Sequence, residues 1–176
     1  MALFDADRLT ALRGSKLSVV GYRNQAGGFD PRSGEGARRF GGRFNPPTSF
    51  PVIYLSTSRP CVVAELTRQA QRQGLSVADL LPRELWQLTG DLAKVLDLTR
   101  PNTLKAIDVR RADLIRDDLQ LTREIGTAAH ARGFQAIRSA SATGVEDVIG
   151  IMPDNLAGAV VHPELIQIWT TAAAIV

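Results

Sequence analysis

The chain contains one cysteine, Cys61, and two histidines, His130 and His162. A lone cysteine excludes an internal disulfide, and so few soft ligands exclude a protein-built zinc or iron–sulfur site. Aromatic residues make up only 6%, and no aromatic cluster accompanies the arginines, which argues against a stacking platform for nucleic-acid bases. No apolar run approaches the roughly 20 residues needed to cross a bilayer as a helix. The opening MALFDADRLTALRG lacks the basic leader and apolar stretch of a signal peptide. The sequence signatures of P-loops, serine-hydrolase elbows, zinc proteases and dinucleotide-binding turns are missing as well. His130 and His162 stand far apart, without the acid or serine context of a catalytic triad. These absences lead us to expect a chain of the reducing cytoplasm that binds no metal and inserts in no membrane.

What is present suffices for a core. The 176 residues are 44% hydrophobic, enough for one domain over 1–176 without cross-links. Asp5 or Asp7 can cap a short helix over 8–13, closed by Gly14. Residues 17–23 read as a strand ending at Arg23, followed by a long glycine-rich loop over 24–42. Loops of that length in compact domains are functional or disordered. A strand at 52–55 precedes a helix capped by Thr57 or Ser58, with Pro60 in its first turn and Gly74 beyond its end. Residues 75–81 form a short helix or turn. Strands are expected at 84–89 and 94–98, separated by Gly90-Asp91. Short helices follow from Pro101 and over 112–117, and a longer one runs over 122–132 to Gly133. Further strands are expected at 134–138, 148–152, 159–162 and 165–169, with 168–176 a last strand or frayed end. The mixture of short strands and scattered helices is α+β.

The stretch from Gly34 to Arg68 organises the rest, with Arg43, Tyr54 and Glu65 evenly spaced along it. Arg43 follows Gly41-Gly42, where the backbone can approach a ligand and a guanidinium can grip a phosphate; it could equally close a turn. Tyr54 shares a strand face with Val52, opposite Ile53 and Leu55. Its ring either stacks on a flat heterocycle or belongs to the core. Glu65 lies among Val62, Val63, Ala64 and Leu66, where an acid needs a partner such as Arg43 or Arg68, unless it faces outward beside Arg68 and Gln69. Ser139 and Ser141 follow a strand and could hold a ribose or phosphate, or form a plain polar loop. Arg32, Arg38, Arg39 and Arg43 form a local basic patch that would attract phosphates or remain solvated.

Taken together, Tyr22-Arg23, Gly41-Gly42-Arg43-Phe44-Asn45-Pro46, Val52-Ile53-Tyr54-Leu55-Ser56, Ala64-Glu65 and Gly133-Phe134-Gln135-Ala136-Ile137 running into Ser141 resemble the RES-domain family. The likeness covers about 17–160, the expected domain core. These proteins are toxins of bacterial toxin–antitoxin pairs. The family's serine lies in an aromatic-proline-serine-alanine-arginine run; here Ser139-Ala140-Ser141-Ala142-Thr143 lacks that proline and arginine, and the register from Gly133 favours Ser141 over Ser139.

The resemblance implies a compact fold similar to ADP-ribosyltransferases, with short mixed and antiparallel strands around an NAD-binding cleft. It also implies breakage of the nicotinamide–ribose bond of NAD+, taken as substrate with no prosthetic group. The outcome would be NAD+ depletion by hydrolysis or phosphorolysis, or transfer of ADP-ribose to a protein. In that reading Glu65 is the catalytic carboxylate and Tyr54 stacks on nicotinamide. Arg43 and Arg23 hold the pyrophosphate or adjacent ribose, and Ser141 helps place ribose and phosphates. The implied partner is a small helix-turn-helix antitoxin of the Xre type covering the site, so DNA is met only through it. The readings from other classes are a nucleic-acid-binding module built on the 32–43 patch, and an inactive fold retained only as an antitoxin partner.

Overall fold

A computed structural model describes residues 1–175. Its sheet contains β1 (Ser15–Gln25), β2 (Ile53–Ser56), β3 (Arg83–Asp97), β4 (Ala136–Ala140), β5 (Asp147–Ile151) and β6 (His162–Trp169). The helices are α1 (Glu35–Phe40), α2 (Arg59–Arg72), α3 (Pro101–Ile107), α4 (Arg111–Leu114) and α5 (Gln120–Ala131). The strands run in the order β1-β2-β5-β4-β3-β6, and β3 also pairs with β1. Five strands therefore close on themselves as a barrel-like sheet, with β6 added along the first half of β3. All pairings are antiparallel except β3 with β4. A parallel pair needs a long crossover, and α3, α4 and α5 fill it.

The sequence pattern explains the layers. Val52 and Tyr54 pack with Phe44, Phe50, Ile125, Phe134 and Met152 beneath the crossover helices. Ile53 and Leu55, on the opposite face of the same strand, join Val19, Leu88, Leu92, Val95, Ile149 and Ile151 inside the barrel. This is the alternation expected for residues 52–55. A third cluster packs Val62 and Leu66 of α2 onto Leu85 and the fully buried Trp169. The α2 start is the predicted one: the Ser58 hydroxyl accepts the Cys61 N–H at 3.2 Å, with Pro60 beside it. Gly74 beyond its end has φ +69°.

Several expectations need correcting. The expected strands 84–89 and 94–98 are not separate: 84–97 all belong to β3, which passes straight through Gly90-Asp91 and ends at Asp97. The chain does not turn there because β1 pairs continuously alongside, and the Ser18 hydroxyl donates to Asp91 at 2.7 Å. Residues 159–161 are not a strand. Ala157 and Gly158 turn with φ +50° and +89°, and ladder pairing starts only at His162. The expected loop 24–42 contains α1. The first helix is a single 3₁₀ turn, Ala6–Leu9, capped by Asp5. After β6 comes another 3₁₀ turn, Ala172–Ala174; the end of the expected 168–176 element, Val176, lies outside the described residues.

One close approach fixes the site. A Cβ on Gly126 of α5 would fall 1.7 Å from the Phe44 carbonyl oxygen, so only glycine lets α5 lie against the loop carrying Arg43. Glycine costs a helix interior about 1 kcal/mol relative to alanine. We therefore expect Gly126→Ala to lower stability by about 2–3 kcal/mol rather than raise it, read as a lower urea midpoint. An unchanged midpoint would mean that helix and loop are not in contact.

Candidate active site

A cleft of about 630 Å³ opens between the loop around Arg43 and the exposed side of α2. Its construction starts with a tight turn in which the Gly42 N–H donates to the Asn45 carbonyl at 2.9 Å. The Tyr54 hydroxyl accepts the Phe44 N–H at 2.8 Å and donates to Asn45 Oδ1 at 2.7 Å. Asn45 Nδ2 in turn donates to the Ala37 carbonyl at 2.7 Å. A Cβ on Gly42 would meet the Tyr54 ring at 2.5 Å, so the turn lies flat on the tyrosine. Phe44 and Asn45 are both fully buried. With its neighbours anchored, Arg43 is aimed into the cleft.

Arg43 Nη1 donates to the Leu114 and Arg116 carbonyls, each at 2.9 Å. Burial holds its guanidinium below the usual arginine range; nearby Arg68 adds to the effect and Glu65 opposes it. Arg23, at the far end of β1, donates from Nη1 to the carbonyls of Pro31 at 3.3 Å and Ser33 at 2.9 Å. Burial, and then Arg83, lower it in the same way. Both arginines line the cleft, as does the half-buried Tyr54.

Glu65 projects from the middle of α2 into the same cleft. Neither expected arginine is its hydrogen-bond partner: Arg68 Nη2 donates to Asp117 at 2.6 Å and Arg43 to carbonyls. Instead the Ser141 hydroxyl, one residue past β4, donates to Glu65 Oε1 at 2.7 Å. Thr143 supports Ser141, its N–H donating to Ser141 Oγ at 3.1 Å. Ser141 is 2% exposed, so it backs the carboxylate rather than forming the cleft wall. Ser139 is buried one strand repeat earlier, and its hydroxyl reaches only the neighbouring Ala140 carbonyl, at 3.5 Å. Cys61, on the same helix, is buried, and burial pushes its thiol up, which keeps it unreactive.

The predicted basic patch breaks up. Arg32 pairs with Asp30, and Arg38 and Arg39 both pair with Glu35, leaving Arg43 as the patch residue in the cleft. Three other cleft arginines were not anticipated as site residues: Arg68, Arg72 and Arg123. Arg68 and Arg72 could have been found, because Glu65, Arg68, Gln69 and Arg72 fall on one helical face. Arg123 could not; it arrives on α5, where its Nε donates to the Gly42 carbonyl at 3.0 Å. A larger, mostly apolar groove of about 770 Å³ runs between the N-terminal segment and α5. It contains none of the predicted site residues. Among the described residues no cluster of His, Cys, Asp or Glu could hold a metal ion, and no helix is long and apolar enough to cross a membrane.

This geometry joins an arginine, a glutamate and a serine from three distant segments, and a match to the RES domain spans residues 20–172. The chain belongs to the RES-domain family. It is 37% identical over 144 residues to the NAD(+) phosphorylase MbcT of Mycobacterium tuberculosis and of Mycobacterium bovis, covering 81% of this chain and 77% of each relative. This RES domain is also similar to a solved structure, that of the M. tuberculosis MbcT-MbcA toxin-antitoxin complex. The TM-score is 0.78 at 32% identity, over 96% of this chain and 93% of that one. The likeness extends to the barrel-like sheet with its helices.

Burial raises the Tyr54 hydroxyl well above its ordinary value, with the Phe44 and Asn45 hydrogen bonds only partly opposing it. A group protonated in the fold but ionised when unfolded contributes stability below its unfolded value, about 10, and loses it as pH rises further. In an alkaline absorbance titration, Tyr54 should therefore ionise only as the protein unfolds. Tyr54→Phe should abolish that late step and, by stranding the Phe44 N–H, lower stability by about 1–3 kcal/mol. A Tyr54 step near pH 10 in the folded protein, seen as the difference between wild type and Tyr54→Phe, would contradict this account.

Proposed function

We propose that this protein breaks the nicotinamide–ribose bond of NAD+ and acts as the toxin of a toxin–antitoxin pair. The observation carrying this reading is the Ser141-backed Glu65 carboxylate in a cleft whose other charged lining residues are all arginines. The activity named for the 37% identical relatives supports it.

The chemistry follows from charge. As neutral nicotinamide departs, the ribose carbon acquires oxocarbenium character, and a fixed carboxylate favours that state over the ground state. Glu65 takes this role and Ser141 orients it. The anchored guanidiniums of Arg43 and Arg23 hold the pyrophosphate or its adjacent ribose, since arginine matches phosphate oxygens bidentately. The Tyr54 ring lies against nicotinamide while its hydroxyl stays engaged with the Arg43 loop. NAD+ is substrate here, and the residues themselves supply the chemistry, with no prosthetic group.

On this reading the chain is one catalytic unit over 1–176, its core at 17–160. Its fold is of the ADP-ribosyltransferase kind, with the cleft as the NAD site. Its partner is a small antitoxin, of helix-turn-helix Xre type, that covers the cleft; that the similar structure is a toxin–antitoxin complex supports an antitoxin partner. DNA is met only through that partner, and the site of action is the cytoplasm, where NAD+ is available.

The decisive measurement is nicotinamide release from NAD+ by the purified chain, free of any antitoxin, with and without inorganic phosphate. Wild type should release nicotinamide, and Glu65→Gln should be slower by about 10²–10³-fold. Equal rates in the two proteins, or no release in any condition, would refute the assignment.

A further inference from the structure

The arginines of the cleft outnumber what a dinucleotide needs. Arg23, Arg43, Arg68, Arg72 and Arg123 face a single carboxylate, Glu65, and the pyrophosphate of one dinucleotide neutralises only part of that excess. They divide by position. Arg23 is fixed on the Pro31 and Ser33 carbonyls, and Arg123 on the Gly42 carbonyl, all along the loop wall. Arg68 and Arg72 stand on α2, one and two turns beyond Glu65.

We propose that Arg68 and Arg72, beside the Arg43 that holds the dinucleotide, form a binding subsite for inorganic phosphate as the ribosyl acceptor. The proposal rests on the NAD+-cleaving reading and names the residues that receive its second substrate. Side chains on a helix lean toward its N-terminus. Arg68 and Arg72, rising from about 4.5 and 10.5 Å further along the axis, therefore lean back toward the carboxylate at which the ribose is held. Arg68 is already steadied, its Nη2 donating to Asp117 at 2.6 Å and its Nη1 to the Ala142 carbonyl at 3.5 Å, which leaves Nε and one N–H on each terminal nitrogen for a ligand. Arg72 is exposed and has no ion pair among the described residues. Arg43 is held on two carbonyls through one nitrogen only. Burial lowers its guanidinium most; Arg68 and, more weakly, Arg72 add to this and Glu65 opposes it. Converging like charges repel unless an anion bridges them, and a doubly charged phosphate does so with several charge-assisted hydrogen bonds.

The step balances without another reagent. A phosphate oxygen of HPO₄²⁻ forms a bond to the ribose carbon, on the face opposite nicotinamide. The carbon–nitrogen bond breaks, its electron pair leaves on nicotinamide, and that ring becomes neutral. The product is ADP-ribose carrying a phosphate at the same carbon, and no proton has to move.

The test is initial-rate nicotinamide release over a grid of phosphate and NAD+ concentrations, for wild type, Arg72→Gln, Arg72→Lys and Arg68→Lys, each checked for folding by thermal melting. We expect the phosphate KM to rise about tenfold in Arg72→Gln, several times more than the NAD+ KM does, with Arg72→Lys recovering part of the loss. An NAD+ KM that rises as much as the phosphate KM would overturn the proposal, because these arginines would then grip the dinucleotide. So would an unchanged phosphate KM. If wild type releases no nicotinamide, it is the NAD+ reading that fails. The subsite is then judged by calorimetric titration with inorganic phosphate: saturable binding weakened in Arg72→Gln supports it, and equal or absent binding in both refutes it.

Discussion

The Tyr54 hydroxyl holds the site together. Accepting the Phe44 N–H and donating to the Asn45 side chain, it ties a barrel strand to the turn that carries Arg43. Everything else about that turn is arranged for this contact. Gly42 has no Cβ because the tyrosine ring occupies the space, and Gly126 has none because the Phe44 carbonyl lies against α5. A buried hydroxyl with both partners in place is stable, whereas one with a partner missing carries a full desolvation cost. The turn thus has one well-defined position, and Arg43 has one direction.

Around that fixed point the barrel-like sheet works as a rigid frame for charge. β2 delivers Tyr54, the helix following it delivers Glu65, and the end of β4 delivers Ser141; β5 lies between β2 and β4 and sets their separation. Preorganisation of this kind matters because a carboxylate and guanidiniums held in place need not reorganise when charge develops on a substrate. Arg23 and Arg43 gain their rigidity from main-chain carbonyls rather than from acids, so their positive charge is positioned without being cancelled. The exposed arginines of the same loop, paired to Glu35 and Asp30, show the contrasting case.

Much of this was legible in the chain itself. The Ser58 cap, Pro60 and Gly74 bracket α2 through local hydrogen bonds and backbone geometry, and local signals of that sort survive folding unchanged. The period-2 pattern at 52–55 placed Val52 and Tyr54 on one strand face and Ile53 and Leu55 on the other, and each face packs into its own core. Gly90-Asp91 misled because a glycine beside an acid reads as a turn. The chain stays extended there because β1 pairs across it, and no local pattern reports that partner. The same limit applies to the carboxylate. An acid in an apolar helix announces that it needs a partner, but arginines nearby in sequence were the natural candidates, and the actual donor stands 76 residues away.

The sequence alone thus determined the kinds of residues in the site, the local elements bearing them and the family to which their order points. Those features depend on interactions a few residues in range, or on motifs that read linearly. Only the tertiary structure decided who meets whom: Ser141 rather than Arg68 on Glu65, Arg123 on the Gly42 carbonyl, and Arg68 and Arg72 in the cleft while Arg38 and Arg39 stay outside it. Side-chain pairing across a closed sheet follows from strand order and register. Those are set by the packing of the whole core, which no single stretch of chain encodes.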